Sequence, residues 1–335
     1  MDPITPSPGK TDLHSENLKN RIQSTEYRQD MRKYIYIVVA LLCFTACQKE
    51  AVQSKVYGRY VPERKDDFAW ENEYAAFRMY GPALADENPS NGVDLWLKNS
   101  PALAVDTMYA RELKDGRPYH INYDGHIDCY KVGHTAGCGG LVLMTEEGDS
   151  AKLWIGGPYS SWEILAQEAD RFSFKLHYDS LQVGEQKLTA DVIITAQAGE
   201  LLNKAQVVIG TKGEALPALL AGGGIYLHDT VDACRVWENS GAVAYAEEAL
   251  SDKHAAELNY EYNGSTSQGR SYIAVVTPGA TKQTVVDGTL VSLKPYATGD
   301  TLTYYFGACW SEWHDGEKSF ATDEAWFDAI KNLHK

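Results

Sequence analysis

The stretch from Tyr119 to Gly140, YHINYDGHIDCYKVGHTAGCGG, holds three His, three Tyr, two Asp, two Cys and one Lys, and it closes on Gly137, Gly139 and Gly140. A core strand is ordinarily poorer in polar groups, and a solvent loop is poorer in aromatics. The stretch therefore reads as the floor and rim of a binding site. His120 and His134 are candidate bases, since neutral imidazole is available near neutral pH. Tyr123 and Tyr130 are candidate acids. Asp128 lies at strand spacing from Tyr130, so one face can carry both, and it is placed to orient a His or a sugar hydroxyl. Lys131 can assist the acid or hold an anion. His126, beside Gly125 in a turn, reads as solvent-exposed. The same residues have plain structural uses: Asp128 and Tyr130 can simply hydrogen-bond each other, and a lone His is more often structural than catalytic.

A second group lies upstream, in FAWENEYAAFRMYGPAL at 68–84. Arg78, flanked by Phe77, Met79 and Tyr80, is not expected free in solvent, and its fork suits both oxygens of a sugar carboxylate. Trp70 offers a flat face for a sugar ring and equally well fills a core. Glu71 and Asn72 complete the expected substrate-binding set. Glu71 and Asp128 also supply the two carboxylates a hydrolase would want. The Gly-rich end at Gly137–Gly140 lacks the strand–turn–helix setting of a dinucleotide fingerprint. It suits a close approach of backbone to a ligand or another strand.

The elements that must position these groups are mostly strands. Alternation of apolar and polar residues marks Phe68–Met79, Val93–Leu97, Lys152–Ile155, Trp162–Glu168, Arg171–Tyr178, Leu188–Ala196, Leu201–Ile209, Tyr272–Thr277, Thr284–Leu293 and Leu302–Trp310, with Leu141–Met144 as an apolar strand. Turn signals at Val183-Gly184-Glu185, Ala198-Gly199-Glu200 and Thr298-Gly299-Asp300 separate them. This density predicts an all-β fold, a large antiparallel β-sandwich over residues 57–335. A short helix is expected around Met108–Leu113. Ala215–Ala221 reads as a helical turn or buried crossing loop. Thr322–His334 reads as a C-terminal helix, capped by Thr322, with Trp326, Phe327, Ile330 and Leu333 on one face. The Trp310–Trp313 cluster is expected to pack the sandwich end on that helix.

Residues 1–30 read as an upstream extension without apolar periodicity. From Met31 the order is Arg32-Lys33, an apolar run to Phe44, then Thr45-Ala46-Cys47, which is a secretory signal. The run is too short to span a bilayer as a helix. Cys47 after the small pair resembles a bacterial lipobox, so residues 31–46 are expected to be cleaved and Cys47 lipidated, with 47–56 as a linker. The expected location is the cell envelope, on the periplasmic or surface face of the outer membrane. Without residues 1–46 the chain carries 25 Lys/Arg and 41 Asp/Glu. So acidic a chain lacks the clustered cations that nucleic-acid binding needs. Cys129, Cys138, Cys234 and Cys309 lack the paired spacing of a structural zinc site and are read as free thiols in preference to a disulfide.

Four segments together (68–84, 91–98, 119–140 and GDTLTYYFGACWSEW at 299–313) resemble one family, a domain-of-unknown-function group of Bacteroidetes lipoproteins from polysaccharide-utilisation loci. The likeness covers nearly all of the chain after Cys47. It implies a galactose-mutarotase-like supersandwich of two large antiparallel sheets. It also implies, from at least one relative, removal of water from the non-reducing-end uronic acid of an oligosaccharide, leaving a 4,5-unsaturated sugar. Such a lyase or dehydratase needs a cation or donor at the carboxylate, a base for the C5 proton and an acid for the leaving oxygen. Arg78 with Asn72 is the expected clamp, His120 or His134 the base, Tyr123 or Tyr130 the acid. The expected partner is an acidic oligosaccharide. The residues require no cofactor. A divalent metal is compatible with His and Asp in one stretch, although no spacing such as HxxxH marks one. The competing reading is a non-catalytic glycan-binding lipoprotein or a mutarotase-like sugar epimerase.

Overall fold

Period-two alternation carries through the structure, a computed structural model that describes residues 54–148, 150–228, 233–250 and 267–333. The expectations on the extension, the signal segment and Cys47 lie outside these residues. In chain order the elements are β1 (Tyr57–Val61), β2 (Asp67–Glu71), β3 (Ala75–Met79), β4 (Val93–Lys98), α1 (Val105–Asp115), β5 (His126–Asp128), β6 (Cys138–Glu147), β7 (Ser150–Trp154), β8 (Ser161–Gln167), β9 (Arg171–Val183) and β10 (Gln186–Gln197). There follow β11 (Asn203–Thr211), β12 (Leu219–Tyr226), β13 (Cys234–Trp237), β14 (Ala242–Leu250), β15 (Ser267–Val276), β16 (Lys282–Val286), β17 (Thr289–Tyr296), β18 (Leu302–Trp310), the short pair β19 (His314–Asp315) and β20 (Lys318–Ser319), and α2 (Asp323–Asn332).

The main strands form three antiparallel sheets. One runs β13-β14-β15-β18-β11-β10-β9-β8, the second β1-β2-β3-β4-β5 and the third β16-β17-β12-β6-β7. Both five-stranded sheets cover the same face of the eight-stranded one: Trp70 meets Phe174 and Phe306, while Gly223 backs onto Val275 and Tyr304. The fold is thus an antiparallel β-sandwich whose shared core draws on all three sheets. Two glycines of the rich stretch make this closeness possible. Both Gly137 and Gly139 have positive φ, and a Cβ on Gly139 would lie 2.4 Å from the Phe306 side chain.

Helix α2 packs on β14 and β15. Thr322 caps it by accepting from Ala325 N, and Trp326, Phe327 and Ile330 are buried while Leu333 is exposed. Trp310 and Trp313 are buried, and Trp313 packs against Tyr74 and Phe320, next to Trp326. Three local expectations change. Residues 219–226 are strand β12, because Gly222–Gly224 pair between β6 and β17 rather than ending an apolar loop. The expected strand Thr284–Leu293 is a hairpin, turned at Asp287-Gly288, both with positive φ. Helix α1 is longer than Met108–Leu113 and ends on Gly116 in the left-handed region. Among the described residues no helix is long and apolar enough to cross a membrane.

Candidate functional site

The β2–β5 sheet has two buried faces of opposite character. Phe68, Trp70, Phe77, Leu95, Leu97 and Ile127 alternate into the main core. Asp67, Glu71, Arg78, Asp94, Lys98 and Asp128 point the other way and are buried too, because α1 and the Tyr119 turn cover them. Arg78 pairs in register with Asp94, and Trp96 with Asp128. The guanidinium lies 2.6 Å from Asp94, 3.1 Å from Asp128 and 3.6 Å from Asp67, and it donates to the Tyr119 hydroxyl at 3.1 Å. The rings of Tyr80, Trp96 and Tyr119 stand about it at 5.1, 5.1 and 5.2 Å. Tyr109 donates to Asp67, Trp96 to Asp94, and Arg64 to Tyr119. Burial pushes the Asp67 carboxyl up to about 6, against the pull of Arg78. Asp94 is raised as well, first by burial and then by the Asp128 charge.

His120 stands on the edge of this cluster with its side chain 39% exposed. Asp128 N donates to the Tyr119 carbonyl, which lays the Tyr119–His120 turn along β5. The His120 Nδ1 meets the Asp128 carbonyl at 3.1 Å, and the Asp128 carboxylate lies 3.7 Å away. A carbonyl only accepts, so Nδ1 carries a proton and Nε2 is the basic nitrogen of the neutral ring.

Three residues further on, a second imidazole hangs from the same segment. His228, just beyond β12, places Nε2 2.6 Å from the Lys131 carbonyl and Nδ1 3.0 Å from the Glu247 carboxylate. Two acceptors require two N–H donors, so this ring is an imidazolium. Burial alone would lower its pKa, but the bond to Glu247 and that charge raise it. Tyr130 lies edge-on to the ring at 4.6 Å and Tyr226 at 5.1 Å. The Asp128 and Lys131 carbonyls are three residues apart, so about 10 Å is the most that separates them.

The structure thus brings together Arg78, Asp128 and His120, and sets Tyr130 and the Lys131 backbone against His228. His134 is exposed in the next turn, and among the described residues no hydrogen bond joins it to either group. Tyr123 is half-buried, tied to His126 through the backbone, with Arg117 over its ring. Several expectations need correction. Arg78 is 3% exposed and its charge is spent on aspartates, so it is not an open carboxylate clamp. Trp70 is wholly buried and donates to Asn203, which rules out stacking on a ligand. Glu71 pairs with Lys98 at 2.9 Å and accepts from Ala104 N and Val105 N, capping α1. Asn72 accepts from Tyr74 N and Ala75 N in the β2–β3 turn. The Tyr130 hydroxyl donates to the Tyr226 carbonyl, and burial holds it well above the usual phenol range. His126 is half-buried rather than exposed: both ring nitrogens are buried with no partner among the described residues, and burial lowers its pKa to about 4.

His228 and Glu247 escaped sequence reasoning because β13 and β14 were not recognised as strands. The available signal was Glu247 itself, a carboxylate interrupting the buried run AVAYAEEAL. All four cysteines among the described residues are free thiols, and burial raises the Cys129 and Cys138 pKa well above the usual value, so neither is an activated nucleophile. Among the described residues no three His, Cys, Asp or Glu side chains are grouped to hold a metal ion. A surface hollow around Gln186, Leu188 and Lys212 has no His or aromatic lining and lies on other strands.

Comparison with known proteins gives one curated relative, "Uncharacterized protein P7" of Formosa agariphila, 25% identical over 285 residues. The match covers 83% of this chain and 66% of that protein, so the chain spans just under two thirds of its relative's length. The family model for DUF4861, a domain of unknown function, matches residues 42–335, which include every described residue, and the chain belongs to that family.

Proposed function

We propose that this protein is a carbohydrate-active carbon–oxygen lyase that removes water from the non-reducing-end uronic acid of an oligosaccharide and leaves a 4,5-unsaturated sugar. The observation that carries this reading is His120: a half-exposed imidazole with its Nδ1 proton fixed on a backbone carbonyl and a buried, arginine-locked aspartate beneath it. In this scheme His120 Nε2 takes the C5 proton. The C5–H electrons form the C4=C5 double bond, and the C4–O bond breaks. The departing oxygen takes a proton from Tyr123, whose hydroxyl makes no hydrogen bond among the described residues, and leaves as water. The proton on His120 then returns to the tyrosinate through solvent. Tyr130 is the weaker acid candidate, since its proton is already given to the Tyr226 carbonyl in the core. Export on a lipid anchor at Cys47 completes the proposal and rests on the sequence alone, while the Formosa relative supports only a Bacteroidetes origin.

The test is incubation with uronate-terminated oligosaccharides while following far-ultraviolet absorbance of the unsaturated product. Replacing His120 by Ala is expected to lower the rate by about 10²–10⁴-fold with binding retained. Absence of product across a broad panel that still binds would sink the reading.

A further inference from the structure

Elimination beside a carboxylate is fast only if a cation or donor set holds that carboxylate as charge develops at C5. With Arg78 committed to Asp94 and Asp128, this role is vacant. On the His120 side of the molecule the other arginines are committed. Arg64 donates from Nε to Tyr119, and its Nη1 is buried. Arg111 is 2.6 Å from Asp124 and also donates to the Tyr123 carbonyl. Arg270 is 2.7 Å from Asp323. Arg117 is different: it is exposed, and among the described residues its guanidinium has no carboxylate or carbonyl partner.

We propose that Arg117, stacked on Tyr123, receives the carboxylate of the substrate and makes the site selective for sugars that carry one. This rests on the reading of His120 as the base of an elimination. The Arg117 guanidinium lies 4.0 Å from the centroid of the Tyr123 ring. A guanidinium held over a ring in this way can still offer two N–H groups to a carboxylate, which binds them through both oxygens. The platform is itself held: Tyr123 bonds His126 through the backbone in both directions, and Arg111 grips the Tyr123 carbonyl. Arg117 precedes a tight turn closed by Ile121 N donating to the Pro118 carbonyl, and His120 lies inside that turn. The two are three positions apart in the chain, so their Cα atoms are within about 10 Å. In the proposed complex one sugar ring lies between them, with its C5 proton toward the imidazole and its carboxylate toward the guanidinium. The chain's net charge of −15 disfavours an anionic ligand, so a cation at the site favours its binding.

The experiment compares binding of a uronate-terminated oligosaccharide with that of its carboxyl-reduced, neutral counterpart, by calorimetry on the full chain, together with steady-state turnover of the acidic form. Wild type is expected to prefer the acidic form. Arg117→Gln is expected to weaken it by about 10- to 100-fold while leaving the neutral form unchanged, the effect of losing a charge-assisted pair. Arg117→Lys is expected to recover part of the loss. In turnover the effect falls on KM more than on kcat, whereas His120→Ala shows the reverse. Equal losses for both ligands, no loss for either, or no binding of the acidic form by wild type would each overturn the assignment. If Arg117→Gln behaves as expected but wild type makes no unsaturated product, the elimination reading fails and the carboxylate site stands.

Discussion

Replacing Arg78 by Met separates a buried structural ion cluster from an open ligand clamp. The guanidinium faces three carboxylates at 2.6, 3.1 and 3.6 Å, all but inaccessible to water. Removing it leaves those acids with Arg64 as the nearby cation, and the cluster responds by taking up about one proton in place of the lost charge. Each carboxyl protonated in the folded state costs about 1.4 kcal/mol per pH unit above its ordinary value of 3.8. That is roughly 4 kcal/mol at pH 7 and under about 2 kcal/mol at pH 5. Wild type already carries part of this cost, since burial pushes Asp67 up to about 6. The net loss is therefore about 3–5 kcal/mol near neutrality, in line with other broken buried pairs, and about half of that at pH 5. Against a total stability of about 5–15 kcal/mol this is a severe loss, about 10 °C in Tm. Urea unfolding followed by tryptophan fluorescence at both pH values measures it. A variant within about 1 kcal/mol of wild type at both pH values, with sugar binding abolished, would refute the buried-cluster reasoning and restore Arg78 as a ligand clamp.

Two further predictions follow from the histidines. Because the His228 pKa is raised, its contribution to stability is complete below the ordinary value of 6.5 and is lost as pH rises through the folded value. Glu247→Gln removes that slope, and the ring then titrates lower; imidazole NMR that shows the same titration in both proteins rules out the ion pair. His126 has the opposite sign: its pKa is depressed to about 4, so stability falls as pH drops from 6.5 towards 4. His126→Leu should abolish this acid-side loss, about 1–2 kcal/mol after discounting for the partly exposed ring, and an unchanged acid limb in the Tm–pH curve counts against it.

The sandwich was legible because its signal is local. Alternation in segments such as Phe172-Phe174-Leu176 needs only neighbours in sequence, and the C-terminal helix declares its cap and its apolar face within a few residues of each other. The site was legible only as far as His120, Asp128 and the glycines, which lie in one stretch. Arg78 shows where the reading fails. Its flanking aromatics correctly indicated burial, yet its partners Asp67, Asp94 and Asp128 come from three other strands. Which acid meets which base depends on register, and register becomes known only once the strands are paired.

The same face explains why an apparent ligand set became scaffold. In a sheet with one solvated side, Glu71, Arg78, Asp94, Lys98 and Asp128 would be the open row. Here α1 lies across that row, and the polar groups must satisfy one another: Glu71 takes Lys98 and the helix N-terminus, while Arg78 takes the aspartates. A charge committed in this way cannot also be offered to a substrate without leaving its partner buried and unpaired. The groups left for chemistry are those that the cover does not reach, on the turn that closes it. His120 is held by a backbone carbonyl and remains half-exposed; Arg117 lies over the Tyr123 ring and is exposed. The buried cluster then acts as an anchor: it fixes Asp128 and Tyr119, and through them the turn on which the proposed base and carboxylate-binding group are carried.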